Sequence, residues 1–294
     1  MSMKKALTLT VVANMTSNYS EGLGNITSLQ KIFKNRKVYT IRSRESLKNA
    51  IMQQAGMYDD LCTEVNKVAQ KYADQNINAA TCRALEGGYM STKNTMYVRK
   101  SSIYLTDAVS CETYVNEVRF HNNMYLAQNF AEKNHLNIQK DASKTGFVPY
   151  QYEFEKSLKI YSITIDLQRI GKDENFHCEA DLKEKSDRVC SILDAVETLN
   201  LVVKGNLDNA EPIFIVGGLS DRKTHYFENV VRIKDNQLEI TEGLKERILK
   251  GYHCGILKGN ILKNQNEIEK ELNPTSISRF FTIVKGEVED YFSL

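Results

Sequence analysis

The 294-residue chain has no tryptophan and only three prolines. Nowhere does it run eighteen apolar residues together, so no membrane-spanning helix is expected. Met1-Ser2-Met3-Lys4-Lys5 leads into alternating Leu and Thr rather than a continuous apolar stretch, which argues against a signal peptide. The six cysteines, Cys62, Cys82, Cys111, Cys178, Cys190 and Cys254, include no CxxC pair. They read as reduced thiols of a cytoplasmic protein. Charge of neither sign dominates. The formal net charge is +2, so any case for a nucleic-acid partner must rest on local clustering.

Enzyme motifs are lacking too. Gly22-Leu23-Gly24 opens like a dinucleotide loop, but Thr27 stands where the third glycine belongs. No GxxxxGK[ST] loop occurs. His177-Cys178-Glu179 resembles half of a zinc-deaminase motif, yet no PCxxC follows it. The five histidines, His121, His135, His177, His225 and His253, do not have zinc spacing, and the adjacent pair His253-Cys254 reads as packing. No catalytic residue, metal ligand or cofactor is expected.

What is present is an ordinary globular pattern, 41% hydrophobic and 26% charged. Residues 6–13 alternate as a half-buried strand, and a polar, turn-rich stretch runs from Asn14 to Asn25. Val38–Ile41 reads as a short strand. It opens into a helix from about Arg44, with Ser43 as N-cap and Leu47, Ala50 and Ile51 as its apolar stripe. A further helix is expected through Leu61, Val65, Val68 and Tyr72, and hairpin strands around Gly87-Gly88 and Tyr97-Val98.

Residues 119–156, rich in Asn, Lys and Gln, have no clean period and read as an exposed projection. Beyond them come a strand at Ile160–Leu167, a helix through Leu182–Leu199, and a buried strand at Ile213–Val216 that Gly217-Gly218 should stop. A hairpin around Asp235-Asn236 and a C-terminal helix starting near Pro274-Thr275 complete the chain. The expected domain is single: a core of 1–56 and 157–294, an insertion of 57–118, and the projection. The element order is compatible with an α+β, ferredoxin-like core of the kind RNA-recognition modules use.

The densest basic cluster is Lys31, Lys34, Arg36, Lys37, Arg42, Arg44 and Lys48, seven cations in eighteen residues, opposed there only by Glu45. Arg44 and Lys48 are four apart on the expected helix, and Ser43 sits where the first free backbone amides emerge. A helix start flanked by cations suits a phosphate. The plainer alternative is a solvated helix face with an internal Glu45–Lys48 pair. Tyr19, Tyr39, Tyr89, Tyr97 and Tyr104 lie near basic or glycine-bearing segments, and Phe120, Met124, Phe130 and Phe147 lie on the projection. A base stacked on such a side chain is worth roughly 1–3 kcal/mol.

The segments Asn14-Met-Thr-Ser-Asn-Tyr-Ser-Glu-Gly22 and Val38-Tyr-Thr-Ile-Arg-Ser-Arg-Glu-Ser-Leu-Lys-Asn-Ala-Ile51 closely resemble the N-terminal pattern of the CRISPR-associated Cas-seven family. The similarity is greatest to its DevR or Cst-like subgroup of type I-B systems. Tyr161–Gly171 resembles that family's central strand, and Ile213–Leu219 its glycine-bearing strand.

The resemblance implies a modified RNA-recognition fold whose copies line up along one CRISPR guide RNA within a Cascade complex. Its partners would be that RNA, the target DNA paired to it, further copies of the chain and other Cascade subunits. It implies that Arg42, Ser43, Arg44, Ser46 and Lys48, with Lys34, Arg36 and Asn18, grip the guide backbone. It also implies that residues 119–156 form a thumb, with Phe120, Met124 or Phe130 as candidate base-displacing wedges. Related subunits that cleave target RNA use an aspartate after the first strand. The loop from Asn14 to Gln30 holds Glu21 but no Asp, which favours a non-cleaving scaffold. Two alternatives stay open: a cleaving subunit using Glu21 or Asp107, and a metabolic enzyme that binds a phosphorylated small molecule. On the RNA-binding reading, reversing the charge at Arg42, Arg44 and Lys48 should weaken RNA binding while leaving the monomer folded.

Overall fold

The computed structural model describes residues 4–20, 26–59, 73–92 and 95–293. The expected helix at 61–72 and residue Glu21 lie outside them. Among the described residues the centre is a mixed sheet of nine strands. The first strand, Ala6–Thr16, lies between Lys156–Asp166 and Pro212–Ser220 and is antiparallel to both. On one flank follow Ala108–Ser110, Lys37–Arg42 and Lys31–Lys34, while Ile103–Leu105 also pairs with Lys156–Asp166. His253–Ile256 and Thr275–Ser276 close the other flank.

Alternation along the first strand decides which face is the core. Leu7, Leu9, Val11, Ala13 and Met15 point to one side, level with Tyr161, Ile163 and Ile165. Three helices cover that side: Arg44–Gln54, Leu182–Glu197 and Ile277–Ser293. The middle one starts where the Asp181 side chain accepts the Glu184 N–H, and it buries Val189, Ile192, Leu193 and Val196. The last buries Phe280, Phe281, Val284 and Val288 at helical spacing. Each such side chain contributes about 1.5–3 kcal/mol by leaving water.

The opposite face carries a second cluster at one end only. There Val12, Phe214 and Val216 meet Phe227, Tyr252, Leu262 and Ile268.

Gly217 and Gly218 do not stop their strand, which continues to Ser220. A glycine pair ordinarily breaks a strand, but here the two serve close approach. A Cβ on Gly217 would come within 2.0 Å of the Thr8 carbonyl oxygen.

The stretch 57–118 is not wholly outside the core, because its strands Ile103–Leu105 and Ala108–Ser110 complete the central sheet. It is keyed to the middle helix by Glu86, which is fully buried. Glu86 accepts from Arg99 Nη2 at 3.0 Å, Arg188 Nη1 at 2.8 Å and the Gly171 N–H at 2.6 Å, and also from Ser102. Such a cluster carries no periodic signal.

The projection has more regularity than its sequence suggests. Val118–His121 pairs with Tyr150–Glu153, and the helix Met124–Lys133 lies between them in the chain. Ile26–Thr27, from the polar loop after the first strand, adds a third strand parallel to Tyr150–Glu153.

Candidate nucleic-acid interface

The basic cluster splits into parts with different surroundings. Lys31–Lys34 and Lys37–Arg42 form a hairpin whose two turn residues, Asn35 and Arg36, have φ of 52° and 61°. This is the left-handed pair a tight two-residue hairpin turn requires. The turn carries Lys34, Arg36 and Lys37 out into solvent, beside Phe33, which is 74% exposed. Among the described residues none of these three cations has an ion pair. Lys31, nearer the sheet, pairs with Glu153 at 2.6 Å and lies over the Tyr114 ring.

The helix start is already furnished from within the chain. Ser43 has the extended backbone of an N-cap, and its hydroxyl accepts the Ser46 N–H at 3.3 Å. The Ser43 N–H donates to Asn18 Oδ1 at 2.7 Å, and the Arg44 N–H to Asp107 Oδ1 at 2.8 Å. The amides that the sequence offered to a phosphate are therefore largely engaged, and a carboxylate stands beside the helix dipole's positive end. Asn18 ties the loop to the helix start instead of standing free.

Arg44 is exposed and pairs with Glu45 at 2.9 Å, a contact worth little in water. The alternative Glu45–Lys48 pair does not form. Lys48 turns inward and donates to Ser101 Oγ at 2.7 Å and the Gly87 carbonyl at 3.2 Å.

Arg42 departs furthest from a surface clamp. Cross-strand pairing with Ala108 puts it on the helix-covered face, where it is only 5% exposed. Its Nε and Nη1 are buried without a hydrogen-bond partner. Burial pushes the guanidinium pKa down, while the charge of Asp208 opposes that. Asp208 offers Arg42 no hydrogen bond. Its oxygens accept from Thr16 N and Oγ1, Lys156 and Asn206.

Two grooves flank this region. The larger, about 1050 Å³, crosses the sheet face opposite the helices, over Val109, Ile160 and Ser162. Its charges balance, with Lys34, Arg44 and Arg232 against Asp107, Glu228 and Glu239. The smaller, about 480 Å³, lies between the helix Arg44–Gln54 and the strand Asn200–Val203 and has Arg42, Ser46 and Asn49 in its lining.

On the projection, Phe120, Met124 and Phe130 are all substantially exposed. Tyr125 and Leu126, at 79% and 68%, are more exposed still and were missed, because an apolar helix face looks the same in sequence whether covered or bare. Only Ala127 and Ala131 of that helix are buried. At the projection's root, His121 stacks against both Tyr150 and Tyr152, with centroids 5.5 and 4.7 Å away. Lys204, at a hairpin tip, lies over Tyr19 and Tyr152. Burial, reinforced by Tyr152 and opposed by Arg119, raises the Tyr19 hydroxyl pKa to about 12.

Residues 7–239 match the model of the family described as CRISPR-associated negative auto-regulator DevR/Csa2. The chain belongs to that family. No curated protein matches it in sequence. In fold it is similar to a chain of a solved CRISPR RNA-guided surveillance complex, with a TM-score of 0.56 and 15% identity, over 96% of this chain and 99% of that one. It is also similar to a chain of such a complex described as pre-nicking, with a TM-score of 0.59 and 10% identity, over 97% and 100%.

At these identities the structures speak for the fold of this DevR/Csa2 family member. That fold is mixed α and β along nearly the full length. Among the described residues, no helix is long and apolar enough to cross a membrane, and no group of three or more His, Cys, Asp and Glu is placed to hold a metal.

Proposed function

We propose that the chain is the repeating guide-RNA-binding subunit of a Cascade surveillance complex, polymerising along one CRISPR RNA and presenting it to target DNA. Its partners on this reading are the guide, the paired target DNA, neighbouring copies and other Cascade subunits. The observation that carries it is the family match over residues 7–239, joined to a hairpin that holds Lys34, Arg36 and Lys37 in solvent without ion pairs. Cations left free in this way meet phosphates without first losing a partner, and the affinity they supply depends on salt. Base pairing would read sequence, leaving the protein to read backbone shape and charge.

The finer architecture is part of the same reading. The strands Ala6–Thr16, Ala108–Ser110, Lys156–Asp166 and Pro212–Ser220, with the helices Arg44–Gln54 and Leu182–Glu197, would be a ferredoxin-like core. Residues 119–156 would be the thumb, with Phe120, Met124 or Phe130 displacing a base. Asn18, Ser43 and Ser46 would shape the turn beside the strand, while Arg44 contacts phosphate.

The chain is read as a scaffold and not as a nuclease. Of the two acids a cleaving mechanism could use, Asp107 accepts the Arg44 N–H at one carboxylate oxygen, and Glu21 lies outside the described residues. Purification from cells that express a guide tests the main reading. The expected result is co-eluting RNA, seen as a raised 260 to 280 nm absorbance ratio that collapses on RNase treatment. Protein that elutes free of RNA and stays monomeric when guide is added would refute it. Incubating the assembled complex with complementary RNA and magnesium should give no regularly spaced products.

A further inference from the structure

The strands Val118–His121 and Tyr150–Glu153 of the projection present two unlike faces. Cross-strand pairing sets Val118 against Glu153 and Phe120 against Gln151 on one of them. On the other it sets His121 against Tyr150 and Arg119 against Tyr152. The rings of this second face are aligned. His121 is 13° from the plane of Tyr152 and 17° from that of Tyr150, and the two tyrosines are 19° apart with centroids at 6.3 Å. Elsewhere among the described residues the ring pairs are tilted or edge-on, as Phe280 and Phe281 are in the core at 86°.

These parallel rings are not sealed in a core. Tyr150 is 40% exposed, and His121 and Tyr152 are half-buried. Cations stand around them. Arg119 lies over the Phe154 ring at 3.5 Å and makes only an exposed pair with Glu117, while Lys204 lies over Tyr19 and Tyr152. Flat π faces open to water, with positive charge beside them, suit a nucleobase and its flanking phosphates. The wedge candidates lie elsewhere, Phe120 on the opposite face of the strand and Met124 and Phe130 on the helix.

We infer that the face formed by His121, Tyr150 and Tyr152 is a stacking platform for one unpaired nucleobase of the bound guide, flanked by the charges of Arg119 and Lys204. The inference rests on the RNA-binding reading and adds a base contact to its backbone contacts. Every base has a π face, so the platform accepts any guide sequence.

The test compares the whole chain with Tyr150→Leu, Tyr150→Phe and His121→Leu, with thermal unfolding of the RNA-free protein as the control for folding. The fluorescent base 2-aminopurine is placed singly at successive positions of the guide and, in a second arm, of the target DNA. Stacking quenches it, and the chain has no tryptophan to overlap its emission. At the guide positions the platform holds, the probe should be quenched in the parent and in Tyr150→Phe, bright in Tyr150→Leu and intermediate in His121→Leu. Tyr150→Leu should also lower affinity for a short oligoribonucleotide about five- to a hundredfold.

Emission unchanged at every guide position in folded Tyr150→Leu would overturn the platform and leave the RNA-binding reading in place. A response confined to probes in the target strand would overturn the assignment to the guide. Tyr150→Phe behaving like Tyr150→Leu would implicate the hydroxyl and overturn stacking. Failure of the parent itself to bind RNA would remove both readings.

Discussion

Lys34 and Lys37 are cross-strand partners on either side of a two-residue turn, placing like charges where opposite ones would stabilise the hairpin. Arg36, inside the turn, adds a third cation in a left-handed conformation. The arrangement favours a polyanion over the free fold. Replacing all three with Gln should leave thermal stability equal or slightly higher. It should also lower the salt slope of RNA binding by about 2, from about 0.7 per phosphate contact. An unchanged slope would place the phosphates elsewhere.

Arg44 and Lys48, four residues apart on one helix, should respond differently to alanine. Arg44→Ala removes only an exposed pair and should change stability by less than about 0.5 kcal/mol. Lys48→Ala leaves Ser101 and the Gly87 carbonyl without their donor and should cost about 1–3 kcal/mol. Chemical denaturation of the two variants distinguishes them. Charge reversal at Arg42 and Lys48 is therefore expected to disturb the fold, contrary to what their place in a basic run implies, and neutral variants are the informative ones.

Gly217→Ala should destabilise by about 3 kcal/mol or more, since its Cβ would meet the Thr8 backbone at 2.0 Å and neither central strand can move away. Gly205→Ala makes a useful contrast. It is strained by its φ of 78° but has nothing within 4 Å of the added carbon, so it should cost less. A smaller loss at position 217 than at 205 would contradict the strand pairing.

The fully buried Lys159 pairs at 2.8 Å with Glu155, which stays 14% exposed, and the Ser17 and Thr40 hydroxyls donate to the same carboxylate. Burial alone would raise the Glu155 pKa, but the charge and hydrogen bonds of Lys159 outweigh it and hold the carboxyl below its usual value. A carboxylate depressed by folding contributes stability above its unfolded pKa of about 4.3, and that stability is lost as pH falls through the lower folded value. Acid unfolding should therefore steepen below about pH 4. Glu155→Gln, which strands Lys159, should cost about 3–5 kcal/mol at neutral pH and flatten that acid dependence.

Alanine at Phe120 and Phe130 together should leave the monomer's unfolding midpoint nearly unchanged, because both side chains are exposed. If the projection displaces a base, the same variant should assemble less well on guide RNA and lose the periodic reactivity of unstacked bases to chemical probing. A large fall in monomer stability would instead make these residues part of the projection's own core.

Periodicity carried a good part of the fold by itself. The strand at 6–13, the helix from Arg44, the helix from Leu182 and the C-terminal helix were legible because one face of each is buried continuously, and that is what a hydrophobic period records. The hairpin Lys31–Lys34 with Lys37–Arg42 was read only in its second half, because its turn is built from Asn35 and Arg36 rather than a glycine pair. The strand through Gly217 was cut short because glycine has the same letter as breaker and as spacer.

Composition and local pattern thus determined the core-facing sides, the cap at Ser43, and the concentration of positive charge between residues 31 and 48. Only the tertiary structure decided which of those cations meet solvent. Strand pairing with Ala108 buries Arg42, the loop at Gly87 and Ser101 captures Lys48, Glu153 neutralises Lys31, and the hairpin tip alone keeps its charges free. The reason is physical: a charge's availability depends on partners brought from far along the chain, and a linear pattern does not record those distances.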